Sequence, residues 1–139
     1  MSYREKIAWL SLMEMTAVFV PYFVIAGKLP LAPMPDWRRL GLFGLASVVR
    51  MLMLGAGHLY LRSMSPEEAR TPPDERDRAI TLRSMSSAYY VLMTGMILVG
   101  FFMPFSSSGW AIVNAAIFWT VVAEVVHYSV IVVSYRRQS

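Results

Sequence analysis

The chain contains no cysteine, which excludes disulfides, thiolate metal sites and cysteine catalysis. Charge is scarce: 16% of the 139 residues are Asp, Glu, Lys or Arg, while 56% are hydrophobic. No stretch offers a nucleophile elbow, a phosphate-binding loop or an HExxH pattern, so a soluble-type enzyme finds no support and a non-enzymatic role is expected. Internal repeats are missing as well. The 11 methionines are dispersed through apolar blocks, without an MxxM cluster facing a common point, and read as flexible fillers rather than a copper pathway. Only two histidines, His58 and His127, are present.

What is there in quantity is uninterrupted apolar sequence. Four blocks stand out, at about 7–27, 40–62, 86–107 and 110–134. Each reaches the ~20 residues that a helix needs to cross a hydrocarbon core. Lipid offers no partners to backbone groups, so such segments are expected to be helices. The first block carries Glu14 and is followed by "KLPLAP" rather than a small-residue cleavage site, which argues against a cleaved leader. The expectation is a single all-α membrane domain over 1–139, an antiparallel bundle of four transmembrane helices.

Orientation follows from the basic residues. Arg4 and Lys6, the loop arginines 62, 70, 76, 78 and 83, and Arg136 and Arg137 fall on one side, against Lys28, Arg38 and Arg39 on the other. Nine against three places both termini in the cytoplasm by the positive-inside rule. This asymmetry accounts for the net charge of +4 without a nucleic-acid partner. The loop "KLPLAPMPDW" should be extended, and Pro21 should kink the first span by freeing the carbonyl of Ala17. In the cytoplasmic loop 63–85, "SPEE" suggests Ser65 as a cap with Glu68 closing a capping box, and Thr71 should cap a third helix beginning near residue 73. Asp74 and Arg78 form an i,i+4 pair. The charged run Asp74, Glu75, Arg76, Asp77 and Arg78 is either a solvated face or a partner-docking surface. The small residues Gly41, Gly44, Ser47, Gly95 and Gly100 mark helix contacts, internal or between protomers.

The stretches "MSYREKIAWLSL", "PYF" at 21–23, "DERDRAI" before "AYYVLM", and "AEVVHY" ending in "SYRR" together resemble a family of small bacterial four-helix membrane proteins of unknown function. The resemblance implies four spans in a bacterial inner membrane. It implies no activity and no site residue.

Five ionisable residues fall within the spans: Glu14, Arg50, His58, Glu124 and His127. A charge at such depth is costly, so each asks for a partner. At ~1.5 Å of rise per residue, His58 lies ~7 Å from the cytoplasmic end, Glu14 and His127 ~10 Å, Glu124 ~15 Å and Arg50 ~19 Å. One polar cluster on the bundle axis would satisfy them, with Arg50 neutralising Glu124 and no cofactor required. Three alternatives compete. His58 and His127 at matching depth would suit a b-type haem, with Gly55 and Gly57 admitting the macrocycle. Glu124-x-x-His127 with Glu14 and His58 would suit a single Zn or Fe. Glu14 or Glu124 as a proton-binding carboxylate would suit a small proton-coupled transporter. The principal reading is an accessory or regulatory membrane subunit, or a small homo-oligomer, whose constant partner is the lipid bilayer.

Overall fold

The computed structural model describes residues 1–107 and 109–137; Ser108, within the expected polar turn between the last two spans, lies outside them. Among the described residues five α-helices run in chain order: α1 Tyr3–Lys28, α2 Trp37–Met64, the short α3 Pro66–Arg70, α4 Glu75–Ile97 and α5 Trp110–Arg137. With the turns that prolong α4 to Phe105, four of these are long and apolar enough to cross a membrane. The shortest, α1, has 26 residues and is about 39 Å long at the α-helical rise. A hydrocarbon core of ~30 Å leaves each end to emerge among headgroups. That is why the observed helices outrun the apolar blocks.

α1 is the centre of the fold. It packs between α2 and α5, and α4 packs on the other flank of α5. In α1, 33% of the apolar window is buried, against 6% in α2 and 11% in each of the other two spans. The buried stripe Ala8, Ser11, Met15, Val18, Tyr22 and Ala26 recurs at intervals of three and four, as one helical face requires. Phe19 and Tyr22 meet edge to face at 5.9 Å, and Tyr22 meets Phe43 of α2 at the same separation. Phe23 reaches Phe118 of α5 at 5.7 Å. Such pairs contribute about 0.5–1.5 kcal/mol each beyond their contact area, and here they join the three helices.

Two glycines set helix separations. A Cβ on Gly57 of α2 would lie 2.4 Å from Leu10 Cδ2, and one on Gly95 of α4 would lie 2.3 Å from Trp119 Cγ. Gly95 therefore marks a contact, as its small size suggested, whereas Gly41, Gly44 and Gly100 face open space and make no internal contact. Beyond Gly95 the helix widens into a π-turn at Leu98–Phe102 and tightens into a 3-10 turn at Met103–Phe105. Pro104 lacks the N–H that would continue the α register, which accounts for the change.

The loop after α1 is free of helix and is held by one arginine. Arg39 donates from Nε to the carbonyl of Ala26 at 3.3 Å, from Nη2 to Leu29 at 2.7 Å and from Nη1 to Pro30 at 3.1 Å. It thus places a cation on the carbonyl end of α1, where the helix dipole favours it. Its Nη1 also pairs with Asp36, which caps α2 by accepting the Arg39 N–H at 3.2 Å.

The capping of the other loop differs from expectation. Ser65 makes no side-chain cap bond, because residue 65 also ends α2 and its own N–H is committed to the Leu61 carbonyl. Glu68 instead accepts the backbone N–H of Tyr3 at 2.9 Å. Thr71 does not cap α4: its hydroxyl donates to the Glu67 carbonyl at 2.9 Å. The cap is Asp74, in a reciprocal capping box with Asp77. Asp77, three residues on, returns an acceptor to the cap's own N–H at 3.4 Å, whereas the Thr71 hydroxyl is already committed to Glu67.

Two outcomes test this packing. Gly95→Ala should lower thermal stability in detergent by about 1–3 kcal/mol through overpacking against Trp119, whereas Gly100→Ala should leave it unchanged. The Arg39 guanidinium beside Asp36 holds that carboxyl below the usual carboxylate range, mainly through the side-chain hydrogen bond. A lowered folded-state pKa contributes stability above the unfolded value of about 3.9 that is lost as pH falls through the folded value. Unfolding midpoints measured against pH should show Asp36→Asn below wild type at neutral pH, with the gap closing under acid conditions.

Candidate functional site

The five intramembrane ionisable residues separate into a bridged triad and two flanking histidines. Glu14 projects from the buried side of α1, its side chain 1% exposed. Arg50 of α2 donates from Nε to Glu14 Oε1 at 3.2 Å and from Nη2 to Glu124 Oε2 of α5 at 3.4 Å. One guanidinium thus spans three helices, using its planar fork to address two carboxylates at once. From the sequence, Glu14 falls in one cluster with Arg50, and Glu124 is the residue that Arg50 neutralises; in the structure Arg50 bridges both acids, with Glu14 the nearer. Glu14 Oε2 is buried without a hydrogen-bond partner, and the Glu124 side chain is 40% exposed. Two acids share one base.

His58 directs Nδ1 to the Leu54 carbonyl of its own helix at 2.9 Å. His127 stacks edge to face with Tyr128, ring centroids 4.9 Å apart. It borders a shallow cavity between α4 and α5, together with Tyr89 and Glu124. Glu124 and His127 therefore both border the cavity beside α4, and Glu124 reaches Arg50 of α2 as well. The space at Gly57, foreseen as room for a macrocycle, is taken by Leu10 of α1. Among the described residues no three His, Asp or Glu side chains are grouped to hold one metal ion.

A groove of about 440 Å³ opens beside the triad, between α1, α2 and α5. Met15, Phe19, Phe43, Leu54 and Ile117 form its apolar wall; Ser47, Arg50, Thr120 and Glu124 supply the polar atoms. Glu124 and Thr120 border both this groove and the cavity beside His127.

A second polar centre joins helix ends, and sequence reading missed it. Asp77 accepts the Tyr135 hydroxyl of α5 and pairs with Arg4 Nε of α1 at 2.9 Å. Arg4 also donates to the Thr71 carbonyl at 3.3 Å. Nearby, Arg136 approaches Glu5 at 3.7 Å and lies 5.2 Å from the ring centroid of Trp9, and Arg76 stands 5.7 Å from that of Tyr135. Within the run 74–78, Asp74 and Asp77 are thus engaged in holding the fold together, while Glu75 and Arg78 remain exposed. The Asp-x-x-Asp spacing could have signalled the capping box; nothing local could have signalled Arg4 or Tyr135.

Removing Arg50 would strand two carboxylates in an apolar setting. Breaking a buried pair by deleting one partner costs about 3–5 kcal/mol, whereas replacing all members with apolar residues is often neutral or stabilising. Arg50→Leu should therefore unfold at markedly lower temperature in detergent. The triple variant Glu14→Leu, Arg50→Leu, Glu124→Leu should recover most of the loss.

Compared with protein-family models, curated proteins and solved structures, the chain matches none of them.

Proposed function

We propose that the chain is a non-enzymatic multi-pass protein of a bacterial plasma membrane, an antiparallel bundle with both termini in the cytoplasm, that serves as a subunit of a larger membrane assembly. The observation that carries this reading is the uneven coverage of the spans. α2 packs on α1 and leaves nearly all of its apolar window uncovered. Gly41, Gly44, Val48, Leu52 and Gly55 recur on its exposed side, with open space beside all three glycines. In lipid, where tails are as apolar as side chains, helices associate through close backbone approach at small residues, and such a side suits a second transmembrane helix. The basic majority on one side supports the orientation. The meeting of the starts of α1 and α4 with the end of α5 around Asp77 supports the antiparallel order.

The absence of native cysteine makes the test clean. Single-cysteine variants Val48→Cys on α2 and Val20→Cys on α1, both exposed, would be cross-linked in native membranes. A discrete adduct heavier than the chain from Val48→Cys, and none from Val20→Cys, is the expected result. An adduct of twice the chain mass would make the assembly a homodimer. Equal or absent adducts at both positions would sink the subunit reading. Thiol-reagent labelling of Ala32→Cys but not Glu67→Cys in intact spheroplasts is the outcome expected for cytoplasmic termini.

A further inference from the structure

We infer that the groove between α1, α2 and α5 is a binding site for a lipophilic cation, with Glu124 as its counter-charge. This inference does not rest on the subunit reading. The volume of about 440 Å³ lies within the range of about 300–1,000 Å³ typical of small-molecule sites. Its walls are aliphatic and aromatic, which suits an apolar body, and Phe19 and Phe43 add ring faces that attract cations.

The polar atoms decide the sign of the ligand. Ser47 donates its hydroxyl hydrogen to the Phe43 carbonyl at 2.8 Å, and Thr120 donates to Ala116 at 2.9 Å. Both hydroxyls therefore keep only oxygen lone pairs for a guest. Arg50 commits Nε and Nη2 to the two carboxylates. Glu124 gives Arg50 one oxygen and retains 40% side-chain exposure. Glu14 Oε2, buried and without a partner, leaves the triad with more acceptor than donor capacity. With two carboxylates on one guanidinium the triad carries an excess negative charge whenever both are ionised. A desolvated anion of this kind favours an opposite charge far more than it would in water. A proton meets that need for one carboxylate; a lipophilic cation meets it while also filling the groove. An anionic amphiphile would face the Glu124 carboxylate, and the charge of Arg50 is already outnumbered by the two acids it bridges.

The test uses the full chain in nanodiscs of zwitterionic lipid, so that the bilayer itself attracts neither ion. Equilibrium dialysis would measure tetraphenylphosphonium and its anionic mirror, tetraphenylborate, against empty discs. Saturable binding of about one phosphonium per chain, with no saturable borate component, is expected. Losing the charged contact in Glu124→Gln should weaken phosphonium binding about ten- to a hundredfold. Ala116→Trp fills the groove without touching any charge and should abolish the saturable component. It decides the matter if the glutamine variant fails to fold. Binding no greater than to empty discs, equal binding of both ions, or binding unchanged in folded Ala116→Trp would each overturn the inference. So would cross-linking of Thr120→Cys between copies, which would put a second chain in the groove.

Discussion

Everything in this bundle is arranged around the Arg50 guanidinium. In hydrocarbon a cation has no water to fall back on, so its position is dictated by the acids that surround it. Glu14 and Glu124 come from different helices, and satisfying both requires α1, α2 and α5 to meet at one level. The apolar packing above and below that level is tolerant by comparison, because lipid tails and side chains compete on nearly equal terms. An ion pair of this kind adds little net stability relative to apolar residues, yet its loss on one side is severe. It acts as a register mark, selecting one arrangement of helices from several that would pack about as well.

The same device recurs at both ends of α1. At its carbonyl end Arg39 collects three backbone acceptors and the Asp36 carboxylate. At its amino end Arg4 and Asp77 tie it to α4, and Glu5 reaches Arg136 of α5. α1 is therefore anchored at three heights by charged groups contributed from every other long helix. That accounts for its central place and for its having the most buried surface of the four spans. Polar groups that are expensive in lipid are tolerated here because each is held to a partner.

The outer helices follow a different rule. α2 and α4 each pack on one neighbour and present broad apolar sides to their surroundings. α2 lines the groove beside the triad and α4 the shallower cavity beside His127, both touching Glu124. The carboxylate at the hinge of these two spaces is also the most exposed member of the triad. Structural restraint and chemical opportunity thus meet at one residue.

The sequence by itself determined the class of molecule. Four runs long enough to span lipid can satisfy their backbones only as helices, and their ends are marked by capping residues, prolines and aromatic or charged side chains. Asp74 and Asp77, three apart before an apolar run, already spell a capping box, although Thr71 offers a rival cap three residues earlier. Five charged or titratable residues inside the spans were equally plain, as was their cost. Which of them would meet was not. α5 is apolar almost all round, so its periodicity does not say which side faces inward, and depth alone favoured His58 with His127, ~3 Å apart in height, over Arg50 with Glu14, ~9 Å apart. Only the tertiary structure decided that α1 stands between α2 and α5. It alone placed Leu10 in the space beside Gly57, and it alone brought Arg4, Asp77 and Tyr135 together across 58 or more residues of chain. The physical reason is that helical spacing encodes height along the membrane normal, whereas rotation and neighbour choice arise only when every buried charge must find its partner at once.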